Sequence, residues 1–138
     1  MRIGRERATM AIDLHLSRPN DYLHAMVRGS LDLDASWEIV QHIATIAQLS
    51  GACPILLDVR DVTCALTHTD IFRLAEDMGR YREALRHRIA IVHRQTTYCH
   101  LADFLELCTT NRGFQVRLFA ESDTAASWLV GETETNRC

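Results

Sequence analysis

Four side chains that can take up or hand on a proton gather around one stretch of the chain: Asp58, Asp61 and His68 lie within it, and His93 follows a later apolar run. If the ends of neighbouring strands bring a carboxylate and an imidazole together, the pair can act as general base and orienting partner. The stretch itself, Ile55 to Asp70, reads ILLDVRDVTCALTHTD and also carries Arg60, Thr67, Thr69 and Asp70. Thr67 has two chemistries open to it. Ahead of a helix its hydroxyl can accept from free backbone amides as a cap. It can also accept a phosphoryl group, whose charge those amides and the helix dipole would favour and which would change what docks there. No GxSxG, HExxH, glycine-rich phosphate loop or paired-carboxylate pattern accompanies these residues. A histidine at a strand end more often partners a carboxylate than serves as a base, so the chain reads as a non-enzyme.

Thiols and imidazoles give a metal little to bind. Cys53, Cys64, Cys99, Cys108 and Cys138 are odd in number and form no CxxC pair, which favours idle or buried reduced thiols over zinc ligands or disulfides. Cys99 and Cys108 lie on one predicted helix with no basic cluster to lower a thiol pKa. His15 and His24 are expected to face each other across a hairpin, which supplies two ligands and no assured third. Neither a metal nor a cofactor is expected.

The elements that hold these residues follow from periodicity. Ile12, Leu14 and Leu16 alternate with polar residues, and the alternation resumes at Leu23, Ala25 and Val27 after Arg18-Pro19-Asn20-Asp21. This is a β-hairpin with one buried face, its turn at 18–21 setting Leu16 opposite Leu23 and Leu14 opposite Ala25. Asp34 is the expected N-cap of a helix with Trp37, Val40, Ile43, Ala44 and Ala47 on one face, ending near Ser50-Gly51. Ile55-Leu56-Leu57 is a short central strand ending at Asp58. A helix from about Asp70 to Leu85, capped by Thr67 or Thr69, leads to a second buried strand, RIAIVH, at 88–93. A helix through Leu101, Phe104, Leu105 and Cys108 closes at Asn111-Arg112-Gly113, where glycine supplies the left-handed residue. Gln115 to Phe119 forms the last strand, and Ser122 or Asp123 caps the last helix. The predicted core is Trp37, Leu57, Phe72 or Leu74, Ile91, Phe104, Leu118 and Trp128.

Strand-helix-strand passages are right-handed crossovers that give parallel neighbours, so only the hairpin strand of residues 10–17 is antiparallel. The hairpin and the last strand alternate rather than run continuously apolar, which implies that helices cover mainly one face. The expected architecture is α/β, with a single mixed five-stranded sheet made from a β-hairpin followed by βαβαβα. The carboxyl end of the central strand, where Asp58, Arg60, Asp61, Thr67, His68 and Asp70 fall, is where such sheets meet ligands and partners. The open face, with His15, His24 and Arg117 at its margins, is available to water, to a ligand or to a second copy in a homodimer.

Composition sets the class. The chain has 138 residues, 47% of them hydrophobic, and a net charge of −3, which suits one soluble domain and gives no reason to expect nucleic acid. No apolar run approaches the roughly 20 residues that span a bilayer. The opening MRIGRERATM has basic residues with no apolar segment behind them, so a cytoplasmic protein without a secretory leader is expected, with Met10 as a second candidate start. Residues 1–9 and 131–138 read as flexible tails around a domain spanning 10–130.

In this order, the segments ILLDVRDVT, RIAIVH and FLELCTTNRGFQVRLFAESDTAASWL resemble the STAS, or SpoIIAA-like, domain of bacterial anti-sigma factor antagonists, particularly its stand-alone members. The resemblance covers about Met10 to Val130. It implies a regulatory domain that binds a protein partner through the loop after the central strand. In that family the loop after the central strand carries an Asp-Ser pair at the helix start, and a partner kinase phosphorylates the serine. Asp58 matches the strand-end aspartate and Thr67 falls close to the phosphorylated position. Leu66 stands where the acidic residue is expected, and His68 and Thr69 replace the small residues that follow. CRAL-TRIO domains share the architecture, so a carrier or sensor of a small apolar or anionic ligand is the alternative function.

Overall fold

A computed structural model describes residues 13–17, 22–49, 51 and 53–130, with backbone alone at 13–16, 95–100 and 102. The predicted tails, Met10 and the turn at 18–21 lie outside the described residues. The elements are β1 (Asp13–Ser17), β2 (Leu23–Leu31), α1 (Leu33–Leu49), β3 (Ile55–Cys64), α2 (His68–Asp77), β4 (Ile89–Val92), α3 (Gln95–Asn111), β5 (Val116–Phe119) and α4 (Ser122–Leu129), with a 3-10 turn at Met78–Tyr81. The strands lie side by side in chain order. Only β1 is antiparallel to its neighbour.

The hairpin register differs from expectation by two residues: Leu16 pairs with Ala25 and Leu14 with Val27. A shift of two leaves each residue on its expected face, because the strand repeat is two. It does separate the histidines. Ser17 lies opposite His24, and His15 lies opposite Met26.

Strand β3 is longer than its apolar run. It continues to Cys64 because β2 extends to Leu31 and pairs with it along the whole length. The register moves from Met26–Asp58 to Arg28–Asp61, so β3 carries one extra residue there. That bulge puts Asp58 and Asp61 on one face of the sheet, the face of Met26 and Arg28. The loop expected after a central strand ending at Asp58 therefore shrinks to Ala65–Thr67.

Successive strand residues alternate between two apolar layers. Leu23, Ala25, Val27, Ile55, Ile89, Ile91 and Val116 face Ile39, Ile43, Leu85 and Phe114, so α1 to α3 cover this side. Leu56, Ala90 and Val92 face Ala125 and Leu129, so α4 lies on the other side, across β3, β4 and β5. Helices thus gather mainly on one face, with α4 on the second.

Of the expected core, Leu74 and Ile91 are buried, whereas Trp37, Leu57, Phe104, Leu118 and Trp128 are half-buried. Phe72 is 44% exposed. It belongs to the outer face of α2, while Ile71, Leu74 and Ala75 supply the inner one.

The caps also differ in part. Asp32, not Asp34, accepts from the amide of Ala35 at 2.9 Å and starts α1. Helix α2 begins two residues before Asp70 and ends at Asp77, the 3-10 turn carrying the chain onward. Ser122 and Asp123 lie inside the first turn of α4 behind the N-cap Glu121. Gly113 ends α3 with φ of 91°, as the sequence predicts.

Candidate functional site

Strand β3 and helix α2 divide the candidate residues into two groups on different parts of the molecule. Asp58, Arg60 and Asp61 sit on β3, while Thr67, His68 and Asp70 form the start of α2.

In the first group, Asp58 is buried, with 6% of its surface exposed. The Arg60 guanidinium grips it from two sides, Nε to Oδ1 at 3.0 Å and Nη2 to Oδ2 at 2.7 Å, and the Arg60 amide adds a bond of 3.1 Å to Oδ1. Burial alone would push the carboxyl up. The side-chain and backbone hydrogen bonds from Arg60, its charge, and the charge of His24 outweigh that, and the pKa falls below its ordinary value. The hydrogen bond to Asp58 correspondingly raises the Arg60 pKa, against burial. A carboxylate held this firmly ionised is a poor general base, because it has little drive to take a proton.

Asp61 is exposed and lies between two cations, Arg28 on β2 at 3.9 Å and Arg94 at the start of α3 at 3.4 Å. Arg94 also donates from Nε to the Arg60 carbonyl at 3.1 Å. These contacts tie β2, β3 and the N-terminus of α3 together. At such exposure each ion pair contributes up to about 1 kcal/mol.

The second group is a capping box. Thr67 Oγ1 accepts from the Asp70 amide at 3.1 Å, and Asp70 Oδ2 accepts from the Thr67 amide at 3.0 Å. Thr67, rather than Thr69, is the N-cap. Both partners of the box satisfy amides that the helix leaves without acceptors. Thr67, His68 and Thr69 are exposed, and Asp70 is half-buried.

The sequence reading missed the aromatic surface that adjoins this turn. His68 packs on Phe104 of α3, with ring centroids 5.0 Å apart. One helical turn along α2, Phe72 lies under the Arg112 guanidinium, 4.7 Å from its ring centroid. Leu107, three residues beyond Phe104, is 54% exposed. The signal for this face is present at Phe72 and Leu107, apolar residues out of phase with the inward faces of α2 and α3.

The acid-base arrangement does not assemble. Among the described residues no hydrogen bond or ion pair joins His68 or His93 to Asp58 or Asp61. His93 keeps a buried Nδ1 with no hydrogen-bond partner among the described residues. Among the described residues no group of three His, Cys, Asp or Glu side chains can hold a metal ion. Cys53 and Cys108 are buried.

Solved structures place this arrangement. An uncharacterised protein from Shewanella loihica PV-4, described as having a SpoIIAA-like fold, matches 86% of this chain and 93% of its own at 20% identity, TM-score 0.55. The fold is SpoIIAA-like. The anti-sigma factor antagonist SpoIIAA in its unphosphorylated form matches at TM-score 0.54 and 17% identity, covering 86% of this chain and 98% of its own. An anti-sigma factor antagonist from Mycobacterium paratuberculosis gives TM-score 0.59 at 16% identity, over 86% and 94%. No protein-family model matches the chain, and no curated protein matches its sequence. Among the described residues no helix is long and apolar enough to cross a membrane.

Proposed function

We propose that this chain is a non-enzymatic regulatory module that captures a protein partner through the start of α2 and the face α2 shares with α3. The observation that carries this reading is the exposed aromatic face beside the capped turn Thr67–Asp70, where His68 packs on Phe104 and the exposed Phe72 lies under Arg112, with Leu107 of α3 also exposed. An exposed aromatic ring beside a cation, as Phe72 lies under Arg112, is the kind of anchor that partner surfaces desolvate. Likeness in fold to anti-sigma factor antagonists supports a protein partner, and a cytoplasmic setting keeps the cysteines reduced.

In this reading Thr67, His68 and Asp70 meet the partner, with Asp61 at the margin. Asp58 and Arg60 hold the strand behind them. SpoIIAA is known in unphosphorylated and phosphorylated forms. A phosphoryl group on Thr67 here would meet the Asp70 carboxylate across the capping box, so modification would open the first turn of α2 by charge repulsion.

Affinity capture from host lysate with wild type, Phe72→Ala, His68→Ala and Thr67→Asp tests the reading, with Gln115→Ala away from this face as control. A partner retained by wild type and Gln115→Ala and lost from the first two variants is the expected outcome. The same captured set from every variant would remove this face from the function.

A further inference from the structure

Strand β5 ends the sheet, next to β4. The direction of its backbone groups follows from two bonds between the strands: the Ile89 amide donates to the Gln115 carbonyl at 2.8 Å, and the His93 amide to the Phe119 carbonyl at 3.0 Å. Gln115, Arg117 and Phe119 therefore turn their amides and carbonyls toward β4, while Val116 and Leu118 turn theirs out to the edge. An open edge of this kind is a template for another strand. The run Val116-Arg117-Leu118-Phe119 is rich in residues that favour strands, and neither proline nor a bulge interrupts it.

The edge is closed from α3. Glu106 Oε1 accepts from the Leu118 amide at 3.2 Å. Both residues are half-buried, so the carboxylate is partly withdrawn from water to make this contact. Among the described residues that carboxylate has no ion pair and no other hydrogen bond. Withdrawing a carboxylate from water without a cation costs solvation, and the bond to the strand amide is what offsets it.

We propose that Glu106 is an edge guard, whose carboxylate occupies the Leu118 amide and keeps β5 from pairing with the β5 of a second copy. The second copy is the partner because this edge is self-complementary. Turned antiparallel about a two-fold axis at Leu118, two β5 strands would exchange both bonds between their Leu118 amides and carbonyls, as a hydrogen-bonded antiparallel pair does. With Glu106 in place, that exchange must first break a charge-assisted bond. The guard acts on self-association at the sheet edge and is independent of the aromatic face of α2 and α3.

Amide NMR spectra of full-length wild type, Glu106→Ala, Glu106→Gln and the double variant Glu106→Ala with Leu118→Pro, each recorded dilute and concentrated, test the proposal, with sedimentation velocity on the same samples. Glu106→Ala should show concentration-dependent shifts at Val116, Leu118 and Ala120, and a sedimenting mass that rises with concentration. Alanine is a good helix former, so this variant keeps α3. Wild type and Glu106→Gln, whose side-chain oxygen still accepts from the amide, should show neither effect. Leu118→Pro removes the outward donor at an edge position that tolerates proline, so the double variant should not associate. Glu106→Gln makes the same comparison without altering the strand. Concentration-dependent shifts at these amides in wild type, equal association of Glu106→Ala and Glu106→Gln, or association that survives Leu118→Pro would overturn the assignment. So would a loss of stability in Glu106→Ala without association, which is what a simple tether between α3 and β5 predicts.

Discussion

Asp58 keeps its charge in a place where burial opposes it, and the Arg60 fork is the reason. Its folded pKa lies below the ordinary 3.8, so the pair's stabilisation is complete above that value and is lost as pH falls through the folded one. Urea unfolding of wild type and Asp58→Asn should therefore differ by about 1–3 kcal/mol from pH 7 down to about pH 5. The difference should shrink below pH 4. A gap independent of pH would mean that shape, not charge, matters at this residue. Thr67 is the other residue with a clear balance. Removing its hydroxyl with Thr67→Ala should cost ~1 kcal/mol in a denaturation series, while Thr67→Asp, itself a good cap, should stay within about half a kcal/mol of wild type. Equal losses in both variants would show that the capping box contributes little.

At the scale of elements, strand order and most element types are legible, because hydrophobic period and cap chemistry report them directly. Thr67 and Asp70 stand three apart, which is the capping-box spacing, and Gly113 marks the end of α3. The length of β3 is not legible. Asp58, Arg60, Asp61 and Thr63 look like loop, since a strand's polar residues are explained only by the solvent beside one face and by the partner strand β2. The same limit hides Phe72, whose period fits either face of a short helix until α3 is in place. Inside β3 the two faces should respond differently to truncation. Leu56, 2% exposed and packed under α4, should cost about 2–5 kcal/mol as Leu56→Ala. Leu57 already borders a cavity and is half-buried, so Leu57→Ala should cost less. Chemical unfolding of the two variants side by side checks the order, and the reverse ranking would show that Leu57, not Leu56, is the more tightly packed of the two.

For the whole molecule, the sheet separates two apolar layers of unequal size, and this asymmetry sets where the protein opens first. Three helices back the larger layer, whereas α4 alone backs the smaller one. Helix α4 spans eight residues and has no side-chain cap. Its main tether is Arg88, which donates from Nη1 to the Trp128 carbonyl at 2.6 Å and lies over the Trp128 ring at 5.0 Å. A short helix without a side-chain cap, backed by the smaller apolar layer, belongs to the low-stability end of a fold, while β3 and β4, paired on both edges, belong to the high end. Native-state hydrogen exchange should show the amides of Ala125 to Leu129 exchanging before those of Leu56 and Ile91. Loss of a charge-assisted hydrogen bond is worth about 1.5 kcal/mol, so Arg88→Ala should speed α4 exchange about tenfold. The β3 amides should keep their rates, because α1 to α3 still cover the opposite face. An equal acceleration in α4 and β3 would show instead that the two layers unfold as one unit and that α4 is bound into the global transition.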